Sequence, residues 1–203
     1  MVVEKDISVN WDFFWKRVEK HPVFLRFLYF IHMKKYFKIL DPLKLKQINI
    51  LELGAGTGAI SYKLIKRYGG TATLVDNNSA ALALHNKLIK DKRNLQYLNA
   101  DFFKTELPHE YDLVFSDGLL EHFSDKGPII DLHKKFVKPG GWILLFALQK
   151  NFFNSLLAMG EKKMGYSEPI SLKDCITLFE NKELKVFGKI SYFFEYGILG
   201  KLI

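Results

Sequence analysis

Cysteine is almost missing from this chain: Cys175 is the single one in 203 residues. That excludes an intrachain disulfide framework and any multi-cysteine zinc site. Long apolar runs are also missing. Val23-Phe24-Leu25 is cut by Arg26, and Trp142 to Leu148 ends at Gln149. A membrane-spanning helix needs about 20 apolar residues. Met1-Val2-Val3-Glu4-Lys5-Asp6 lacks the basic stretch followed by an apolar one that a secretory leader carries. The expectation is a soluble, cytoplasmic protein. There is no internal repeat and no low-complexity linker. His85, His109 and His133 share no metal-ligand spacing with one another or with cysteine, so no metal is expected.

What is present points to a folded chain. Hydrophobic content is 48%, with 15% aromatic residues, far above a disordered composition. Thirty Lys and Arg against 22 Asp and Glu give a net charge of +8. The excess is uneven, since residues 1–46 hold ten basic and five acidic groups. Such charge attracts nucleic acid, anionic membrane or acidic small molecules without choosing among them. One domain is the default at this length. We read residues 1–46 as an N-terminal helical cap belonging to the same domain as residues 47–203.

The pattern along the chain changes near residue 48. Before it, Asn10 can cap a short helix carrying Trp11, Phe14, Trp15 and Val18, which His21-Pro22 interrupts. A second helix is predicted from about Val23 to Ile39, stopped by Asp41-Pro42. Its Tyr29, His32 and Tyr36 read chiefly as core packing. From Ile48 onward, short apolar runs alternate with helical stretches. Strands are predicted at Ile48 to Leu53, Ala72 to Val75, Leu95 to Leu98, Tyr111 to Phe115 and Trp142 to Leu148. Helices are predicted at Ala59 to Tyr68, Ala80 to Ile89, Ile129 to Val137 and Ser171 to Phe179. This alternation means βαβ units and a parallel sheet covered on both faces. Phe152 to Met164 reads as a helix or a flap. Leu184 to Phe194 and Gly197 to Ile203 read as a closing hairpin.

The most informative segment is Glu52-Leu53-Gly54-Ala55-Gly56-Thr57-Gly58, which leaves a strand and enters a helix. Its glycines remove Cβ atoms so that a ligand can approach the backbone. The following helix offers free N–H groups and a partial positive charge. Gly54, Gly56 and Ala59, with Asp76 downstream, also fit a dinucleotide fingerprint. Glu52 argues against that reading, because a carboxylate beside the loop repels a pyrophosphate and welcomes an ammonium group. The plainer alternatives are a ligandless turn at the glycines, a helix cap at Asp76, a turn aspartate at Asp101 and a solvent-facing carboxylate at Glu52.

These segments, with Asp76, Ala100-Asp101, Asp117-Gly118-Leu119-Leu120-Glu121-His122 and Lys138-Pro139-Gly140-Gly141, resemble the Rossmann-like S-adenosylmethionine-dependent methyltransferases. The likeness is closest to their type 11 small-molecule group. It implies a seven-stranded sheet of order 3-2-1-4-5-7-6, with strand 7 antiparallel and helices on both faces. It implies S-adenosylmethionine as cofactor and S-adenosylhomocysteine as product. Glu52, Gly54, Ala55, Gly56 and Gly58 would wrap its methionine and ribose parts. Asp76 would bind the ribose hydroxyls, with Asn77 beside the adenine. Asp101 would take the adenine amine, with Phe102 as a contact or wall. Ser116 and Asp117 would lie near the sulfonium and amino groups.

Methyl transfer is an in-line displacement in which orientation contributes about 7–11 kcal/mol, so a dedicated base is optional. Asp117 and His122 are the candidates if one is used. The stretch after the fourth strand is Ser116-Asp117-Gly118-Leu119 and not an Asn/Asp-Pro-Pro-aromatic motif, which lowers the weight of exocyclic-amine acceptors. The expected acceptor is small, partly apolar and able to carry negative charge, in a pocket completed by the N-terminal helices and Phe152 to Tyr166. Two alternatives stand beside it. One is an RNA or protein methyltransferase that docks through the basic N-terminal helices. The other is a non-catalytic, cofactor-binding partner, or a subunit lying on a membrane surface through residues 11–40.

Overall fold

The computed structural model describes residues 10–20, 32–108, 110–150 and 168–202. The expectations for Val23 to Ile31, His109, Phe152 to Tyr166 and Ile203 fall outside these. The first elements are α1 (Trp11–Lys20) and α2 (32–40), the latter followed by a single tight turn at Asp41–Leu43. Then come β1 (Ile48–Leu53), α3 (Ala59–Tyr68), β2 (Gly70–Asp76), α4 (Ser79–Leu88) and β3 (Leu95–Asn99). β4 (Tyr111–Asp117), α5 (Gly127–Phe136) and β5 (Val137–Leu148) follow. The last elements are α6 (Leu172–Asn181), β6 (Leu184–Ser191) and β7 (Glu195–Leu202).

The seven strands form one sheet of order β3-β2-β1-β4-β5-β7-β6. β1 pairs in parallel with β2 and β4, whereas β7 runs antiparallel to β5 and β6. Successive strand residues point to opposite faces, and both faces here are apolar. Leu51, Leu53, Val114, Leu145 and Ile198 lie on one face, with Ile130 and Phe136 of α5 and Phe179 of α6. Ile48, Ile50, Leu113, Phe115 and Leu144 lie on the other, with Tyr36 and Leu40 of α2 and Leu64 of α3. Each fully buried leucine or isoleucine stabilises the fold by roughly 1.5–3 kcal/mol.

Sequence order reverses between β1 and β4. Ligands of open parallel sheets bind beyond the strand ends at such a switch point. The start of α4 near that edge is capped from the sequence itself: the Asn78 side chain accepts from the Ala81 N–H at 2.9 Å.

Two predicted boundaries move. β5 begins at Val137, five residues before Trp142, because residues 138–141 are absorbed as a bulge. Tyr111 faces Val137, yet Leu113 already faces Trp142. The closing hairpin turns earlier than predicted. Tyr192 N–H donates to the Glu195 carbonyl at 2.8 Å, so Phe193 and Phe194 form the tip instead of extending a strand.

Candidate active site

The glycine loop is held from four sides. Gly54 and Ala55 N–H groups both donate to the Val75 carbonyl, at 2.9 and 3.1 Å, which ties the end of β1 to β2. The Asp76 carboxylate accepts from Gly56 N–H at 2.7 Å and from Asn78 N–H at 2.8 Å. Tyr97 O–H donates to the Gly56 carbonyl at 2.8 Å, and His85 Nδ1 meets the Thr57 carbonyl at 2.9 Å. Gly58 has φ +66°, and a Cβ there would lie 2.4 Å from Leu74 Cδ1. An L side chain there is strained in conformation and forces Leu74 to move.

Glu52 is buried and turned toward α3. Ser61 Oγ–H donates to it at 2.6 Å, and Ser61 N–H lies 3.4 Å away at the helix start. Burial pushes its carboxyl up to about 8. The Ser61 bonds oppose that rise, and the negative Asp117 and Asp76 add to it. Burial thus favours the neutral form of a group that the sequence places beside the loop as a charge. Desolvation outweighs the ordinary acidity of the group.

Past the switch point, Ser116 and Asp117 project to opposite faces of β4. Ser116 is buried, and its hydroxyl meets His133 Nε2 at 3.1 Å. His133 Nδ1 lies 2.7 Å from the Ile129 carbonyl. Burial lowers His133 to about 4, so the ring is neutral, donating from Nδ1 and accepting at Nε2. Asp117 instead meets α2. Its Oδ2 accepts from Tyr36 O–H at 2.9 Å and contacts His32 Nε2. His32 Nδ1 reaches Glu195 Oε1 at 3.2 Å, and Lys35 Nζ binds the same carboxylate. Burial disfavours charge on His32, but Asp117 and Glu195 outweigh it and raise the ring to about 10. An imidazolium and an ammonium group thus balance two carboxylates. Burial, Asp117 and Glu52 hold the Tyr36 phenol well above its ordinary value. Glu121 is buried with Oε2 lacking a hydrogen-bond partner, and burial raises it to about 7.

Helix α1 lies across the same edge. The benzo edge of Trp15 rests against Gly56, and Trp11 meets the His122 ring edge-on at 4.9 Å between centroids. Asn78 Nδ2 donates to Asp12 at 2.8 Å, and Lys87 pairs with Glu19 at 2.8 Å.

The structure therefore gathers Gly54, Ala55, Gly56, Gly58 and Asp76 into one loop assembly, with Asp117 across the switch point. Asn77 is exposed beside it. Asp101 folds back on its own turn, accepting from Phe103 N–H at 3.0 Å, and Phe102 packs on Phe103 and Phe123. The sequence reading missed Trp15, the charge partnership of His32, Tyr36 and Glu195, and the buried Glu121. His32 and Tyr36 stand four apart on one helix face, which is a readable spacing. Nothing near residue 195 marks that glutamate. Among the described residues no group of three or more His, Cys, Asp or Glu is placed to hold a metal ion, and no helix is long and apolar enough to cross a membrane.

Residues 50–141 match the family described as a methyltransferase domain. The chain is 35% identical over 113 residues to a ubiquinone biosynthesis O-methyltransferase of Hydrogenovibrio crunogenus, covering 54% of this chain and 46% of that protein. It is 30% identical over 139 residues to malonyl-[acyl-carrier protein] O-methyltransferase 2 of Ilyobacter polytropus, covering 66% and 54%. It thus spans about half the length of these curated relatives. In fold it is similar to the crystal structure of a SAM-dependent methyltransferase from Aquifex aeolicus. The TM-score is 0.63 at 16% identity, covering 78% of this chain and 84% of that one.

Proposed function

We propose that this chain, which belongs to the Rossmann-like S-adenosylmethionine-dependent methyltransferases, moves the cofactor's methyl group onto an oxygen of a small, partly apolar acceptor. The observation that carries this reading is the loop of residues 54–58, tied to Asp76 at the switch point of the sheet. The residues present fit the cofactor. The loop carries glycine at three alternate positions, and the Asp76 carboxylate stands beside it, accepting from the Gly56 and Asn78 N–H groups. Asp76 would bind the ribose hydroxyls. Asp101 and Asn77 would serve the adenine end, with Phe102 as its wall.

When bound, the cofactor supplies a methyl group activated by a positively charged sulfur. The chain's own residues orient, attract and exclude water. Asp117, held at Oδ2 by His32 and Tyr36 at the switch point, would be a fixed carboxylate for cationic groups. If the acceptor hydroxyl needs a base, Asp117 and His122, which sits on the turn after β4, are the candidates. Oxygen as the accepting atom rests on the two relatives, both named O-methyltransferases. The packing of α2 into the sheet and of α1 along the cleft favours a covering role for residues 1–46 over a docking platform for RNA or protein. On this reading residues 1–46 and 47–203 work as one domain, in the cytoplasm.

Titration calorimetry with S-adenosylmethionine, S-adenosylhomocysteine and NAD tests this directly. Binding of both sulfur compounds is expected. Tight NAD binding without a response to either would overturn the reading. Turnover of small hydroxylated acids and phenols to methyl ethers or esters tests the acceptor class.

A further inference from the structure

Gly56 is the middle glycine of the bend, and what covers it belongs to neither the sheet nor the layers on its faces. A Cβ at this position would lie 2.5 Å from both Cζ2 and Cη2 of Trp15. Trp15 sits on α1, and α1 touches the loops after all three strands that surround the proposed seat. Trp15 meets the loop after β1, Asp12 meets Asn78 after β2, and Trp11 meets His122 after β4. Farther along, Glu19 pairs with Lys87 of α4. A helix serving only to bury its apolar side needs no contact with three successive ligand loops.

We propose that α1 is a cover over the cofactor seat and that Trp15 is a cofactor-binding residue, its indole forming the outer wall above Gly56. The inference rests on the function proposed above and extends it to a residue outside residues 50–141. The ring rises by one layer of atoms, about 3.5–4 Å, to sandwich the bound nucleoside against the glycine. Asp12–Asn78 and Glu19–Lys87 then act as latches whose opening sets the rate of ligand exchange. Stacking of a base on an aromatic ring makes removal of the ring worth roughly tenfold or more in affinity. An exposed ion pair contributes up to about fivefold.

The test begins with calorimetry of wild-type protein against S-adenosylhomocysteine. No binding there overturns the cofactor reading itself, before any variant is made. With wild-type binding in hand, Trp15→Ala should weaken affinity about tenfold or more and speed release, and Trp15→Phe should stay within about threefold. E19K and K87E should each speed release by up to about fivefold, and the E19K/K87E double variant should restore it. Trp15→Ala binding as tightly as wild type, or more tightly, overturns the proposal while leaving the cofactor reading intact. A second readout covers a Trp15→Ala chain that fails to fold. In W11F/W142F protein the sole emitting indole is Trp15, and its fluorescence should change on adding S-adenosylhomocysteine. Unchanged emission in a protein that binds the compound overturns the proposal equally.

Discussion

On the β1–β2 side of the cleft, the polar contacts run between residues 2 to 41 positions apart: Asn78 with Asp76, Ser61 with Glu52, Gly56 with Asp76, Thr57 with His85, Gly56 with Tyr97. On the β4–β7 side they run 81 to 163 positions: Tyr36 and His32 to Asp117, Lys35 and His32 to Glu195. The first set is mostly backbone held by neutral or singly charged partners. The second set consists almost wholly of charges. One side should therefore respond to shape and the other to pH and ionic strength.

The largest expected effect attacks shape. Gly58→Val forces a branched side chain into a left-handed turn against Leu74. It should cost about 2–4 kcal/mol of stability and abolish S-adenosylhomocysteine binding. A thermal melt indistinguishable from wild type would refute the steric account of the loop.

Next comes a pair that separates the two sides. Asp76→Ala should weaken cofactor binding more than about tenfold, because it removes the carboxylate that ties the glycine loop to the start of α4. His32→Gln should cost about 2–3 kcal/mol at neutral pH by leaving Asp117 without its cationic partner and Glu195 with Lys35 alone. His32 moves from 6.5 to about 10 on folding, so the folded state holds the extra proton between those values. Stability is therefore lost as pH rises through that window. Denaturation curves from pH 7 to 10 should show a decline in wild type that flattens in His32→Gln. Equal slopes would place the charge balance elsewhere.

A smaller effect belongs to Glu52, moved from 4.5 to about 8. It too lowers stability as pH rises, between those values. His133, moved from 6.5 down to about 4, acts in the opposite sense between 4 and 6.5. Glu121, raised from 4.5 to about 7, adds to the decline below pH 7; Glu52→Gln should therefore lessen the decline below pH 8 and leave the His32 part above pH 8 unchanged. A sulfonium arriving nearby should also expel the Glu52 proton. Calorimetry in buffers of different ionisation enthalpy should show more proton release with S-adenosylmethionine than with S-adenosylhomocysteine, and no difference in Glu52→Gln. Smallest of all, Ser116→Ala removes one buried hydrogen bond to His133 and should cost about 1–2 kcal/mol with cofactor affinity unchanged. A large loss of affinity would mean that Ser116 reaches the ligand after all.

The contrast between the two sides also explains what could be read from residues alone. The βαβ alternation, the bend at residues 54–58 and Asp76 are short-range patterns, and the structure contains them where the spacing puts them. The strand order followed from the family resemblance and not from periodicity. Asp117 was visible as a candidate, but its partners were not, because no local pattern links position 32 to position 195. Glu52 was visible as a residue beside the loop, but its burial under α3, which favours the neutral form, was not. Trp15 looked like an ordinary amphipathic residue until the fold set it on Gly56. The β6–β7 turn was misplaced because Tyr192, Phe193 and Phe194 have strand-like composition, whereas the turn is closed by a backbone bond that composition does not encode.

Because β7 runs against its neighbours, it brings its first residue, Glu195, to the edge where the parallel strands end. A polypeptide emerging from the ribosome therefore holds the complete cradle long before it holds both carboxylates of the opposing clamp. Until position 195 has been made and the strand threaded back between β5 and β6, His32 has only Asp117 to neutralise it. A chain cut ahead of the last hairpin would lose Glu195, and with it one of the two carboxylates that balance His32 and Lys35.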